Sequence, residues 1–387
     1  MKTFSKEGAR SAVAALVALS CVVCAGGWLA AARGAAAAQK TPARGRASRP
    51  APSPPAQAPR TGAVEKVYRG AIAGRGIELR LARDGERLSG SYNYDGRAGS
   101  LRLEGRAGAG GKFTLAEFDA AGRQTGKFAC EPGGDDSTTL EIDVACEWSK
   151  PDGGGQTYAS LTEQQVAFTR GWRVAPKRIE NRKYGVRVSY PQLVAATGAP
   201  LTPAAGDFNR RVSELAGKIV KDFTAEEHVE HMYLEINYHM LLATDELVSV
   251  ELREDNNYGG AHPNTNHHAV TYDLRAGREL KLADLFKPGS GFERTLRRHA
   301  FKEINRRAAA AQKENARIAG GKEGEAEELI PADREDEISA WAVTPRGLLI
   351  YFDFPHVIAA FDRNFVPYAA FKDSLRADGP AAAAFAR

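Results

Sequence analysis

Alternation of apolar and polar residues is the feature of this 387-residue chain that most constrains its fold. Between residues 63 and 172, short runs place an apolar side chain at every second position, as in Ile77, Leu79 and Leu81. Turns that contain Gly and Asp, such as Asp84-Gly85, separate the runs. Because a period of two belongs to strands with one buried face, residues 63–172 are predicted to form an all-β antiparallel meander, small and barrel-like. Such a barrel either holds a ligand or is packed solid.

The pattern changes after about residue 176, where strand-like and helical spacings both occur. Residues 184–190 alternate as a strand that Pro191 is expected to end. Apolar residues at helical spacing predict an amphipathic helix over 206–224 and a second helix over 291–310. Further strands are predicted at about 232–243, 246–254, 267–274, 338–344 and 347–353. Strands and separate helices together predict an α+β domain over residues 176–376, followed by a tail of residues 377–387.

The N-terminus has the composition of a targeting segment. A basic start that includes Lys2 and Arg10 precedes 22 uncharged residues, Ser11–Ala32. This stretch is longer than a typical signal-peptide core and close to the roughly 20 residues that span a bilayer. We interpret residues 1–35 as a signal or anchor segment, and favour an uncleaved inner-membrane anchor over a cleaved signal and over a lipoprotein site. In each case the rest of the chain lies outside the cytoplasm, in the cell envelope.

Composition narrows the function classes further. Residues 36–62 are rich in Ala, Pro, Arg and Ser, which is typical of a semi-extended linker. The net charge of +5 is mild, and no basic stripe with interleaved aromatic residues occurs, so nucleic-acid binding is not expected. Outside the apolar segment only Cys130 and Cys146 remain. An even number of cysteines in an oxidising compartment predicts one disulfide, here between neighbouring strands.

Four groups of residues in the second domain carry a family resemblance. They are Val188–Leu193, then Val248–Leu252 leading into Tyr258–Pro263, then Tyr272–Leu274, and finally Gly347–Phe352. In this order they resemble a bacterial extracytoplasmic domain family of unknown function. That family forms the lysozyme-sensing outer domain of a sigma-V-type anti-sigma factor, and it precedes the catalytic domain of some peptidoglycan deacetylases.

Departures from the family's usual context affect what the resemblance implies. Only about ten residues precede the apolar span, too few for a sigma-binding segment, and the metal signature of the deacetylases is missing. The resemblance therefore implies a binding or sensing module without its usual effector and without a cofactor. Its expected ligand is a cell-wall component such as peptidoglycan, or a wall-degrading protein such as lysozyme.

The best candidate site is the segment Tyr258-Gly259-Gly260-Ala261-His262-Pro263. Two glycines permit a tight turn, and Pro263 favours an extended conformation at His262. We therefore predict a ligand-binding turn formed by Tyr258, Gly259, Gly260 and His262. Turn chemistry alone also explains Gly-Gly and His-Pro, so a purely structural role for these residues is the competing interpretation.

The alternative function is that of a metal-assisted envelope hydrolase. It would use His262 with His267 or His268 and a carboxylate such as Asp255, because imidazole suits zinc. His267 and His268 are consecutive, so on a strand they point to opposite faces and only one can join such a site. The spacing matches no known ligand pattern, and neither a nucleophile elbow nor a phosphate loop occurs. We therefore expect no catalytic residues and no metal ligands.

Overall fold

The computed structural model of this chain describes residues 64–133, 143–195, 200–318, 328–331 and 334–385. The predicted signal or anchor segment, residues 1–35, and the linker, residues 36–62, lie outside the described residues. Among the helices that are described, none combines the length and the apolar character needed to cross a membrane.

Eight antiparallel strands form a closed barrel in which each strand pairs with its sequence neighbours and the last pairs with the first. The predicted meander is therefore confirmed, and it closes completely. Its interior is packed with side chains such as Ile77, Leu79, Leu103 and Phe128, each at most 1% exposed. The strands are β1 (Val64–Ile72), β2 (Arg75–Asp84), β3 (Arg87–Tyr94), β4 (Leu101–Ala107), β5 (Phe113–Phe118), β6 (Gln124–Pro132), β7 (Asp143–Ser149) and β8 (Thr157–Gln164).

The predicted disulfide is confirmed inside this barrel. Cys130 on β6 lies directly opposite Cys146 on β7, and their sulfur atoms are bonded. Both cysteines are buried with the apolar side chains of the barrel core. The bond therefore joins two strands that are already paired, at a point where the sequence alternation directs both side chains inward.

A six-stranded sheet forms the centre of the second domain, in the order β14-β13-β12-β11-β10-β9. All neighbouring strands are antiparallel except β10 and β11, which pair in parallel. Compared with the sequence prediction, β12 and β13 extend further toward the turn that joins them. The strands are β9 (Trp172–Asn181), β10 (Val186–Ala195), β11 (Tyr233–Ala243), β12 (Leu247–Asn257), β13 (Asn264–Asp273) and β14 (Arg278–Glu279).

The prediction that Pro191 ends its strand is wrong. β10 continues through Pro191 to Ala195, and Pro191 lies opposite Pro176 of β9. β11 pairs with β10 only as far as Val188, so no strand on that side requires an N–H group at residue 191. Because no strand on that side needs the missing donor, proline is tolerated there. Trp172, the last residue of the predicted first domain, is the first residue of β9.

Helix α1 (Pro203–Ala225) covers one face of the six-stranded sheet. Thr202 caps it by accepting a hydrogen bond from the Ala205 N–H, at 3.3 Å, and Pro203 occupies the first helical position. Its buried side chains include Phe208, whose ring meets Tyr272 of β13 edge-on. The helix predicted over 206–224 is therefore confirmed. It begins three residues earlier, at Pro203, because Thr202 caps it there, and it ends one residue later, at Ala225.

The opposite face of the sheet carries a second, three-stranded sheet and a long helix. The strands are β15 (Ala340–Thr344), β16 (Gly347–Tyr351) and β17 (Arg363–Pro367), and the helices are α2 (Phe292–Ile318) and the short α3 (Ala382–Phe385). Alternation along β12 shows the two-sided packing. Val248 and Val250 belong to the core under α1, whereas the hydroxyl oxygen of Ser249 accepts a hydrogen bond from the Val343 N–H. The predicted α+β character is observed, and the predicted tail contributes Phe385 to the core of this side.

A buried ion cluster joins the barrel to the six-stranded sheet. Arg69 of β1 and Arg178 of β9 each bond to the Asp95 carboxylate, both at 2.9 Å. The Arg69 guanidinium also lies over the Tyr238 ring, 4.4 Å from its centroid. Since two cations share one buried carboxylate, the two domains are held together by more than the connecting segment.

Breaking the disulfide should destabilise the barrel. The loop it closes spans 16 residues, for which loop-closure entropy gives a loss of about 3 kcal/mol in the free energy of unfolding. Urea unfolding of the Cys130→Ala/Cys146→Ala variant measures this loss. Ala145→Ser, at an exposed position on β7, is the control and should change the free energy by less than about 0.5 kcal/mol. Equal stability of the disulfide-free variant and the wild type would contradict the prediction.

Candidate functional site

The predicted site turn connects β12 to β13 at one end of the six-stranded sheet. The ladder between these strands closes at the pair Asn256 and Asn264. The Asn257 side chain accepts a hydrogen bond from the Gly259 N–H at 2.7 Å, which fixes the start of the turn. Gly259 has a φ of +87°, and a Cβ atom there would lie 2.4 Å from Cγ2 of Val229. Glycine at 259 is thus required twice, by its backbone angle and by the close approach of Val229.

Tyr258 presents its ring at the surface while its inner side is supported. The ring packs against Phe223 of α1, with centroids 4.9 Å apart, and 45% of the residue is exposed. Partial burial, followed by the nearby carboxylates of Glu254, Glu226 and Asp222, raises the pKa of Tyr258. The hydroxyl is therefore protonated at neutral pH and available as a hydrogen-bond donor in an acidic environment.

His262 meets a residue that the sequence did not indicate. Its ring stacks on His356, with centroids 5.5 Å apart and an angle of 29° between the planes. His356 begins a short 3₁₀ helix, His356–Phe361, in the connection between β16 and β17, and both imidazoles are exposed. The turn at 258–263 and the β16–β17 connection therefore form one continuous surface.

We use the name hairpin-tip surface for Val229, Tyr258, His262, His356 and Val357. Its two aliphatic members are exposed to solvent, Val229 to 40% and Val357 to 46%. Single exposed apolar residues are ordinary on proteins, but here they flank two stacked imidazoles and a phenol. The surface offers aromatic and aliphatic contact area on a turn whose backbone is fixed by the hydrogen bond between Asn257 and Gly259.

Below this surface, a buried ion pair joins the two sheets. Nε of Arg363, the first residue of β17, lies 3.2 and 3.3 Å from the two carboxylate oxygens of Glu251 on β12. Nδ1 of His267 on β13 lies 2.7 Å from the same carboxylate. Glu251 is 3% exposed and Arg363 9%. Burial alone would raise the pKa of Glu251, but the Arg363 guanidinium and the His267 hydrogen bond outweigh it and hold that pKa well below its usual range.

Tyr351 and Asp362 complete the cluster. The His267 ring stacks on Tyr351 of β16, with centroids 5.1 Å apart, and burial raises the pKa of Tyr351 well above its usual value. Asp362, next to Arg363, accepts a hydrogen bond from the Phe354 N–H at 3.0 Å. Burial raises the pKa of Asp362 to about 7 despite that hydrogen bond. The base of the β16–β17 connection is thus a packed polar cluster rather than an open cleft.

The opposite face of the hairpin holds a separate carboxylate–imidazole pair. Nε2 of His268 lies 2.7 Å from Oε2 of Glu254, and the Asn256 amide donates to the other carboxylate oxygen. Burial raises the pKa of Glu254, but these hydrogen bonds to His268 and Asn256 exceed it and lower the pKa overall. His267 and His268 therefore contact carboxylates on opposite faces of the sheet, as their consecutive positions on a strand predict.

The ligand set of the alternative metal site does not come together. His262 stacks on His356, whereas His267 is bound to Glu251 and His268 to Glu254. Asp255, its candidate carboxylate, accepts hydrogen bonds from Thr265 and Arg253 instead. Throughout the described ranges, no three His, Cys, Asp or Glu residues are arranged to hold a metal ion.

Sequence reasoning identified the turn but missed its partners. Val229, Phe223 and His356 lie far from it in the chain, and no local pattern marks them. Gly260 was predicted to be needed for the turn, yet its backbone does not adopt the left-handed region and a Cβ atom there would meet open space. A signal did exist for the buried cluster, since Ser249 and Glu251 are the two polar residues in the run Leu247–Leu252 and both face the small sheet.

Asp362 should give stability a specific pH dependence. Its folded pKa of about 7 lies above its ordinary value of 3.8, so the folded state binds more protons between these limits and its contribution to stability falls as pH rises through that window. Asp362→Asn keeps an acceptor for Phe354 and removes the titration. The stability of the variant relative to the wild type should therefore increase from about pH 4 to about pH 7 and then level off.

Urea unfolding across this pH range is the measurement. Asp84→Asn, an exposed aspartate at the end of barrel strand β2, is the control, and its stability relative to the wild type should not follow this profile. A difference between Asp362→Asn and the wild type that is independent of pH would contradict the assignment of a raised pKa to Asp362.

Comparisons with known proteins give distant structural neighbours. No protein-family model matches the chain, and no curated protein matches it. A crystal structure of a DUF3298 family protein from Pseudomonas aeruginosa PAO1 is similar over 53% of this chain and 94% of its own, with 15% identity and a TM-score of 0.36. A member of the same family from Bacteroides fragilis NCTC 9343 is similar over 53% of this chain and 93% of its own, with 14% identity and a TM-score of 0.32.

Both neighbours are bacterial proteins of a domain-of-unknown-function family, which is the kind of family that the motifs indicated. Both TM-scores are low. The expected relation to the sigma-V anti-sigma factor stays a prediction.

Proposed function

We propose that this chain is a non-catalytic binding or sensing protein of the bacterial cell envelope, and that it binds its ligand at the hairpin-tip surface. The ligand is a cell-wall component such as peptidoglycan, or a wall-degrading protein such as lysozyme. The ligand class comes from the motif resemblance, and the place of binding comes from the geometry of the surface.

The observation that supports binding is the combination of exposure and rigidity at the turn. Tyr258 is nearly half exposed, yet its ring leans on Phe223 and its backbone is fixed by Asn257 and Gly259. A rigid aromatic side chain loses little conformational entropy on binding, which is why tyrosine is common at the centres of interfaces. A turn with only a structural role would not need to expose this ring.

Charge around the surface favours one of the two ligand classes. Asp222, Glu226 and Glu254 lie near enough to contribute to the raised pKa of Tyr258. Glu227 and Glu230, in the segment before β11, are exposed. A negative field steers positively charged partners toward the surface, which supports a basic wall-degrading protein. The exposed aromatic rings suit either class, because they can stack on sugars as well as on protein side chains.

The disulfide supports the proposed location. Cys130 and Cys146 are bonded, and disulfides persist in oxidising compartments outside the cytoplasm. In this proposal the N-terminal segment, residues 1–35, holds the chain at the inner membrane, and a secreted or periplasmic protein after cleavage is the alternative. No observation favours the metal-assisted hydrolase, whose histidines are bound to different partners.

Retention on immobilised lysozyme and on purified peptidoglycan tests the proposal with the full chain. We expect the wild type to be retained by at least one of the two. Tyr258→Ala and His262→Ala should each weaken that binding about tenfold or more, because truncating a central interface residue typically costs more than 1.4 kcal/mol. Tyr158→Ala is the matched control, since Tyr158 on barrel strand β8 is 81% exposed and belongs to no part of the surface.

The outcomes separate the parts of the proposal. If neither ligand retains the wild type, the proposed ligand classes are rejected. If Tyr258→Ala and His262→Ala are both retained as well as the wild type, binding lies elsewhere and the hairpin-tip surface is rejected. Gly259→Ala provides a further check, because its Cβ atom would displace Val229 and strain the turn, and binding should weaken while the barrel remains folded.

A further inference from the structure

Strand β13 leaves one long edge of the six-stranded sheet open. On its inner side β13 pairs with β12 without a break from Asn264 to Asp273. On its outer side β14 pairs only with Tyr272 and Asp273. Among the described residues, no strand therefore covers the outer edge of β13 between Asn264 and Val270.

The direction of the backbone groups on this edge follows from one hydrogen bond. The Leu280 N–H donates to the Thr271 carbonyl at 2.8 Å, so the polar backbone groups of Thr271 point outward. Because these groups alternate along a strand, those of His267 and Thr265 also point outward. Thr265 and Asn266 are exposed, and no described residue bonds to the outward groups of Thr265 or His267.

The other edge of the same sheet is protected. β9 carries Pro176 together with the cationic residues Arg173, Lys177 and Arg178, and proline and charge are common means of blocking strand addition. The part of β13 with an open outer edge, Asn264–His268, contains neither proline nor lysine nor arginine, and its register has no bulge. Since only the β9 edge is protected, the β13 edge is the one available for strand pairing.

We propose that the occupant of this edge is β13 of a second copy of the chain, paired antiparallel about a two-fold axis at Asn266. In this register the outward groups of Thr265 meet those of His267 of the second copy, which gives four backbone hydrogen bonds. Asn266 faces Asn266 of the second copy. The Asn266 side chain already hydrogen-bonds Glu254 within its own chain, and the amide keeps a second N–H and its oxygen for the amide of the other copy.

Charge does not oppose this arrangement. The carboxylates nearest to the edge are already bound within each chain, Glu251 to Arg363 and Glu254 to His268. The side chains that meet across the axis are then amides, a hydroxyl and imidazoles. An unrelated peptide could use the same backbone groups, but only a second copy places an identical amide opposite Asn266 at the centre of the pairing.

Pairing also has a consequence for the hairpin-tip surface. Residue 263 lies three positions from the axis in each copy, so the two turns point in opposite directions and are about 20 Å apart along the strands. Such a dimer presents two surfaces and gains avidity for a repeating ligand. This consequence rests on the proposed function, whereas the pairing itself does not and is tested without a ligand.

Cysteine cross-linking of the full chain tests the pairing. Non-hydrogen-bonded antiparallel neighbours have Cα atoms about 4.5 Å apart, which a disulfide spans. Asn266→Cys should therefore form a covalent dimer in a glutathione redox buffer at least about tenfold faster than Asn264→Cys. Asn264 is equally exposed on the same face, but in this register it lies about 14 Å from Asn264 of the second copy.

Thr265→Pro and Thr265→Lys in the Asn266→Cys background test whether the backbone makes the contact. The N–H lost at 265 points away from β12, so the fold should survive proline, and lysine blocks the edge by charge. Both should reduce cross-linking about tenfold or more, with urea unfolding as the check on the fold. Equal or absent cross-linking of Asn266→Cys and Asn264→Cys, or cross-linking that both Thr265 variants preserve, would overturn the proposal. The wild type is the control for any cross-linking through its own Cys21 and Cys24.

Discussion

The buried ion pair between Glu251 and Arg363 determines how the two sheets of the second domain meet. Glu251 projects from the six-stranded sheet and Arg363 from the start of β17 in the smaller sheet. Both side chains are almost fully buried, so burying the charge of either one without the other would be strongly unfavourable. His267 hydrogen-bonds Glu251, and its ring stacks on Tyr351, so both rings pack beside the ion pair. A polar contact inside an otherwise apolar interface permits few alternative registers between the two layers.

The hairpin-tip surface depends on this contact. His356 and Val357 lie in the connection that leads directly into Asp362 and Arg363, so fixing Arg363 against Glu251 also fixes where His356 reaches the turn. On the other side, α1 supports Tyr258 through Phe223. The exposed residues of the surface are therefore held by two different layers of the domain. This arrangement suits recognition, because a preorganised surface loses little entropy when it binds.

Local patterns in the sequence predicted a large part of this fold. Alternation of apolar residues identified the meander, helical spacing identified α1, and two isolated cysteines identified the disulfide. These features succeeded because each depends on neighbouring residues. The strand end expected at Pro191 was wrong because the tolerance of a proline depends on what its neighbouring strands require, and that is a property of the whole sheet.

The site was predicted less completely for the same reason. The turn at 258–263 is a local feature and was located from its glycines and proline. Its contact with His356 is a tertiary one, with nothing in the local sequence to mark it. The histidines considered as metal ligands are explained by Glu251 and Glu254, which lie on the neighbouring strand and could be paired with them only once the register was known.

A double-mutant cycle on Glu251 and Arg363 tests this account most directly. The free energy of unfolding is measured by urea for the wild type, Glu251→Gln, Arg363→Met and the double variant. We expect each single substitution to cost about 3–5 kcal/mol, because it leaves a buried group without its partner. The double variant should cost less than the sum, with a coupling energy of about 2 kcal/mol or more. Additive effects of the two substitutions would contradict a structure in which this pair joins the sheets.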